Sequence, residues 1–371
     1  MKNTFGSNVQ ITIFGESHGK AIGAVLDGMP AGIPVDEDFI RHQLNLRKPS
    51  GQISTSRRED DDFIIESGVF KGFTTGTPIC ILIENKDTKS GDYKEIKDIA
   101  RPGHADYAAY CKYRGFGDYR GGGHFSGRIT AALVACGAVC LNALADKKIT
   151  IGTHIKKCAG IDDREFEDLF KDTAMLNNSE FPVLDSDAGE KMKEAILEAK
   201  KEGDSVGGVL ETAVLGLPAG LGEPWFDSFE GVLAHGLFSI PAIKGVEFGK
   251  GFEICDMRGS MANDPFRMKD GKIVTSTNNN GGINGGITNG MPVIFRCGVK
   301  PVPTIAKTQE TVNFKLGEDT TISARGRHDP SIVHRARVVV DSMAAFAVCD
   351  MVWSASSYQI SYPAYHYHNI P

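Results

Sequence analysis

An excess of positive charge is missing from this chain: Lys and Arg number 41 against 47 Asp and Glu, a formal net charge of −6. No general attraction to nucleic acid or an anionic membrane is expected, so any phosphate must be held by local groups. The eight cysteines form no CxxC pair and no Cys/His cluster at zinc spacing, and they read as reduced, mostly buried thiols. Neither a P-loop GxxxxGKS/T nor a Rossmann GxGxxG occurs. Long hydrophobic runs are also scarce. The one uncharged stretch, 129–145, is slightly short for a membrane span and is closed by Arg128 and Asp146, which favours a buried helix. The first residues carry no basic flank leading into an apolar segment, so the expected compartment is the reducing cytoplasm.

What is present is an ordinary globular composition, 41% apolar and 24% charged over 371 residues, with 43 glycines in short clusters. Glycine at that density points to close backbone approach. Alternating or β-branched runs predict strands at 9–14, 21–26, 63–69, 79–83, 149–153, 209–215 and 292–298. Helices are predicted at 128–145, 189–201, 229–238 and 331–353.

Internal repetition is more informative. Gly28-Met29-Pro30-Ala31-Gly32-Ile33 returns as Gly216-Leu217-Pro218-Ala219-Gly220-Leu221. The segment from Gly72 to Ile79 is echoed from Gly286 to Val293, and the apolar helix after Ser126 has a counterpart after Ser331. The pairs keep their order, which predicts one large α+β domain of two pseudosymmetric halves, about 9–160 and 205–355. The acidic stretch 162–187 reads as a loop-like surface insertion.

Four segments offer chemistry. Gly15-Glu16-Ser17-His18-Gly19 formally matches the hydrolase elbow GxSxG, but the strand-like residues on both sides make it the exposed tip of a hairpin. His18 there can pass a proton at neutral pH. Arg101-Pro102-Gly103-His104-Ala105-Asp106-Tyr107 places a second histidine in a turn, with a cation and a carboxylate available to orient it. The run from Tyr119 to Arg128 is a glycine loop feeding a helix, where backbone N–H groups, Ser126 and Arg128 suit a phosphate or carboxylate. Gly326-Arg327-His328-Asp329-Pro330-Ser331 precedes the matching helix and adds a carboxylate. The glycines around Gly285 suit close approach to a flat ligand, the 300–304 turn offers Lys and Thr to a phosphate, and Arg47 and Arg57 are further cations.

Taken together, GESHG, RPGHADY, GGG-x-x-S-x-R and RHDP, in that order between residues 9 and 342, resemble the chorismate synthases. The resemblance implies a β-α-β sandwich, usually a homotetramer. It implies the seventh step of the shikimate pathway, an anti-1,4-elimination of phosphate from 5-enolpyruvylshikimate 3-phosphate that needs reduced FMN without net redox change. Some members reduce FMN with NADPH and others draw on cellular reductants. Carried onto this sequence, His18 protonates the departing phosphate, His104 serves the reduced flavin, Asp329 sits near the flavin N5, and Ser17 and Ser126 relay hydrogen bonds. Flavin contacts fall on His124, Phe125, Ser126, Pro241, Ala242, Gly285, Lys300, Pro301, Val302, Pro303, Thr304 and Arg327. Substrate contacts fall on Arg47, Arg128 and Arg57.

The sequence departs from that pattern where His124 replaces a frequent Arg, Pro241 a frequent Asn, and Gln52-Ile53 a basic step, with Arg57 as the compensating cation. Two rival readings are weaker. A hydrolase needs its elbow to turn into a helix, and a non-catalytic flavin- or phosphate-binding protein has no use for two loop histidines and Asp329.

Overall fold

The computed structural model describes residues 2–49, 51–55, 60–86, 96–323 and 329–361. The alternating runs form two antiparallel sheets. In the first, Thr4–Phe5 (β1), Gln10–Gly15 (β2), Ala21–Asp27 (β3), Phe63–Ser67 (β4) and Ile79–Glu84 (β5) are ordered β1-β2-β3-β5-β4. In the second, Thr150–Cys158 (β6), Ile161–Asp162 (β7), Gly208–Leu215 (β8), Ile243–Phe248 (β9) and Val293–Val299 (β10) are ordered β9-β10-β8-β6-β7. Ile22, Ala24 and Leu26 alternate into the core opposite Ile79, Ile81 and Ile83, as a half-buried sheet requires.

Helices fill the space between the sheets. Glu37–Arg47 (α1) is capped by Asp36, which accepts from Phe39 N. Asp106–Tyr113 (α2) buries no residue. Thr130–Asp146 (α3) packs on β3 and β5 and against the long helix Val333–Ser361 (α8), which covers β6 and β8. The two helices approach so closely that a Cβ on Gly137 would lie 2.3 Å from that of Ser342. With its lead-in turn, α3 is long and apolar enough to cross a membrane but is mostly buried inside the protein, as a core helix. Burial pushes the Cys158 thiol up to about 11 and Cys297 up to about 12, which leaves both unreactive.

The 162–187 stretch is not simply loop: it holds Leu169–Leu176 (α4) and the start of Ser186–Lys201 (α5). Several of its acidic residues are caps or buried partners. Asp168 and Asp185 cap α4 and α5, and Asp163 bonds His154 at 2.7 Å. Phe229–Ser239 (α6) then packs on β9 and α8, and the one-turn helix Gly259–Ala262 (α7) follows it in the chain. The two hexapeptide turns are held alike. Thr74 Oγ1 donates to Pro30 O at 2.6 Å and accepts from Ile33 N at 2.9 Å. Thr288 Oγ1 donates to Pro218 O at 2.8 Å and accepts from Leu221 N at 2.9 Å.

Candidate active site

Gly15 to Gly19 join β2 to β3 as a hairpin, but the expected exposure is corrected: Ser17 and His18 are only 2% and 6% exposed. Their cover is the glycine loop, where Gly121, Gly122 and Gly123 have φ of +59°, +84° and +53°. Gly123 O accepts from Ser17 N at 3.1 Å. A Cβ on Gly121 would stand 2.2 Å from the His18 ring, so glycine is needed there for both backbone and space.

Ser17 Oγ donates toward Arg120 O and Gly121 O, each at 3.2 Å, and lies 2.9 Å from His18 Nδ1. A hydroxyl has one proton to give. With it directed at those carbonyls, Oγ accepts from Nδ1–H, and Nε2 becomes the nitrogen that exchanges a proton. His124 ties the loop to the hairpin through Nδ1, 2.7 Å from Gly15 O. Asp118 closes the loop's other end on Arg120 at 2.7 Å. The hydrogen bond from Arg120 holds the Asp118 carboxyl below the usual range, with His18 adding a smaller pull.

The loop leads into α3 through a 3-10 turn, Gly127–Ile129, in which Ser126 Oγ accepts from Arg128 N at 3.3 Å. One backbone donor expected to face an anion is therefore taken. The Arg128 guanidinium turns to Asp61 Oδ1 and, at 3.1 Å, to Asn85 Oδ1. Arg47, in the last turn of α1, meets Asp61 Oδ2 at 2.8 Å. All three side chains are buried. Burial pushes Arg47 below its ordinary value against the pull of Asp61. Burial alone would raise the Asp61 carboxyl, yet Arg47 and Arg128 hold it below the usual range. Arg47 Nε is buried without a hydrogen-bond partner. An orphaned donor costs about 1–3 kcal/mol, so this atom has capacity for an acceptor.

Asp329 stands before α8, accepting from Thr55 N at 2.9 Å and facing Arg335 Nη1 at 2.8 Å. Arg335 Nε donates to Arg47 O at 3.0 Å, which joins the carboxylate to the arginine cluster. His104 N donates to Arg101 O at 3.1 Å, and Asp106 stands within electrostatic reach of the ring. Arg101 and Asp106 bind each other, with Nε and Nη2 each 2.7 Å from a carboxylate oxygen, while His104 Nε2 lies 2.5 Å from Thr304 Oγ1. Lys300 Nζ donates to Gly103 O at 2.6 Å, docking this turn on the 300–304 turn.

One cavity of about 1460 Å³ gathers most of the residues singled out from the sequence. Arg47, His104, His124, Phe125, Ser126, Arg128, Pro241, Ala242, Lys300, Val302, Pro303 and Asp329 line it, and Ser17 and His18 lie behind its Gly15, Glu16 and Gly121 wall. Three residues fall elsewhere. Pro301 borders a separate shallow hollow with Lys157 and Ser205, Thr304 stands behind His104, and Gly285 sits in the turn between Ile283–Asn284 and Ile287–Thr288 with open space around it. Arg57 and Arg327 lie outside the described residues. Among the described residues no group of three or more His, Cys, Asp or Glu side chains is placed to hold a metal ion.

Sequence reasoning missed Asp61, Arg335 and Asp118. Asp61 hides in a run of acids that looks solvated, and the spacing of Arg335 from Asp329 carries no signal. Asp118, two residues before Arg120, could have been read as its partner.

Known proteins share this sequence and this fold along nearly the whole chain. The chorismate synthase family model matches residues 9–353. A chorismate synthase of Pyrococcus abyssi is 46% identical over 95% of this chain and 99% of its own length. Another, from Dehalococcoides mccartyi, is 45% identical over 96% of this chain and 98% of its own. A crystal structure of a chorismate synthase superposes with a TM-score of 0.75 at 32% identity, covering 94% of this chain and 93% of that one. With a family match along nearly its whole length and relatives almost half identical, the chain belongs to the chorismate synthase family.

Proposed function

We propose that this cavity is where the chain performs its family's reaction, with His18 giving a proton to the departing phosphate and Arg47 and Arg128 holding the substrate's anionic groups. The reaction follows from membership. The chain is a carbon–oxygen lyase of aromatic amino acid biosynthesis that uses a flavin and eliminates phosphate from 5-enolpyruvylshikimate 3-phosphate to give chorismate. The observation that carries the site reading is Arg47, a buried cation with an orphaned Nε at the cavity wall.

The residues present fit a flavin. The cavity, about 1460 Å³, exceeds the roughly 300–1,000 Å³ usual for one ligand and suits two molecules side by side. Phe125, Pro241, Ala242, Val302 and Pro303 offer apolar surface, and Lys300 and His104 offer polar edges. We assign the cofactor as FMN, which when bound and reduced lends electron density to C–O cleavage. His104 Nε2, steadied by Thr304, would hold the charge state at the flavin edge, and Asp329, held by Thr55 N and Arg335, would sit near the flavin N5. Ser17 keeps the proton of the neutral His18 ring on Nδ1, so that Nε2 is the nitrogen that carries and hands over the exchanging proton, and Ser126 relays hydrogen bonds. With reduced FMN supplied anaerobically, His18→Ala is expected to lower kcat by about 10²–10⁴-fold and leave FMN affinity nearly intact. A large loss of FMN binding would place His18 in structural support instead.

NADPH as the reductant is part of the same proposal, checked by NADPH oxidation with FMN. The chain is proposed to act as a cytoplasmic homotetramer. Its eight free cysteines support a reducing compartment, and Trp225 and Phe226, 85% and 92% exposed, support burial against other copies. The two halves are proposed to be pseudo-twofold duplicates, a reading supported by the matching Thr74 and Thr288 turns.

A further inference from the structure

We propose that Asp61 is a positioning residue of the substrate grip, holding Arg47 and Arg128 at a fixed spacing as a preformed double cation. This rests on the reading of those two arginines as substrate residues. The geometry is one carboxylate oxygen to each guanidinium: Oδ2 to Arg47 Nη2 at 2.8 Å, and Oδ1 to Arg128 Nη1. The Asp61 side chain has no exposure of its own and borders the cavity. Arg47 comes from the end of α1 and Arg128 from the turn before α3; α1 packs on α3 and Arg47 Nη1 stands 3.5 Å from Gly127 O, and Asp61 links the two guanidinium groups directly. Left alone they repel, and each lowers the other's readiness to stay charged in a buried place. The shared carboxylate offsets that repulsion. It engages only part of each guanidinium, and Arg47 Nε keeps a donor without a partner.

The backbone reinforces the point. Asp61 has φ of +54°, a left-handed conformation that Asp and Asn adopt more readily than other side chains. Such strain persists where surrounding structure enforces it. Asp61→Asn therefore keeps the backbone acceptable and changes only the head group. An amide has one acceptor oxygen, and its NH2 would face a guanidinium donor to donor, so one arginine is released.

For Asp61→Asn, KM for 5-enolpyruvylshikimate 3-phosphate is expected to rise by about tenfold or more, with reduced-FMN affinity within about threefold of the parent and kcat at saturation less affected than KM. An unchanged KM, while Arg47→Gln and Arg128→Gln each raise it, overturns the role of Asp61 alone. A lowered KM also overturns it, since Asp61 would then be an anion competing with the substrate. If neither arginine variant moves KM, the substrate reading itself fails. Should Asp61→Asn not fold, the double variant Asp61→Asn/Arg47→Gln removes the charges together. In that variant the introduced amide can turn its oxygen to Arg128, so KM should match that of Arg47→Gln, and a further tenfold rise would contradict the proposal.

Discussion

Two buried ionic clusters lie on the two sheets, and they are finished differently. On the second sheet, His154 of β6 bonds Asp163 at 2.7 Å through Nδ1 and Glu211 at 3.0 Å through Nε2. Asp163 also accepts from the backbone N–H groups of Leu184, Asp185 and Arg164. Both imidazole nitrogens are used, and Phe166 packs edge-on against the ring. The cluster pins 162–187 onto the sheet. Beside the first sheet, Arg47, Arg128 and Asp61 are as deeply placed, but they border a cavity and Arg47 keeps an orphaned donor. On the proposed reading of the site, the difference separates a buried charge that holds structure from one that is placed for a ligand.

The largest effect that would sharpen this contrast is on stability. His154→Ala leaves two buried carboxylates without their shared partner and is expected to cost about 3–5 kcal/mol of unfolding free energy, read by denaturant titration. The folded fraction should keep its KM for substrate, and a changed KM with unchanged stability would break the distinction.

A smaller effect concerns pH. His334, at the start of α8, bonds Ser54 Oγ at 2.9 Å, and burial, then Arg335, pushes it down to about 4. Between that value and the ordinary one near 6.5 the unfolded chain holds a proton that the folded chain does not. Stability is therefore complete above about pH 6.5 and falls as pH drops toward 4, by about 3 kcal/mol in the limit. His154 runs the other way. Burial alone would lower it, but Asp163 and Glu211 outweigh burial and raise it, so its contribution is present in acid and is lost as pH rises through its folded value. His334→Asn should flatten the acid slope of unfolding free energy, and slopes parallel to the parent would contradict the assignment.

Much of this was legible before any coordinates. The seven strand runs and the helices α3, α5, α6 and α8 follow from periodicity because their apolar residues face one core. Helix α1 was missed although Asp36, Glu37 and Asp38 signal its start, and α2 escaped because it buries nothing. The four motif loops supplied many of the polar and glycine residues at the cavity, since glycine, histidine and arginine in turns announce a site. What stayed hidden was pairing. Neither Asp61 joining Arg47 to Arg128, nor Arg101 turning to Asp106 in place of His104, is written in spacing. The first depends on distant parts of the chain meeting in space, and the second, within one turn, on local geometry that spacing does not decide.

The most direct measurement is an anaerobic reaction of the purified protein and Arg47→Ala with 5-enolpyruvylshikimate 3-phosphate and reduced FMN, following chorismate and phosphate together. The account predicts equal amounts of both products from the parent chain, and little from Arg47→Ala at substrate concentrations that saturate the parent. No chorismate from the parent with reduced flavin present, or undiminished turnover in the variant, would contradict it.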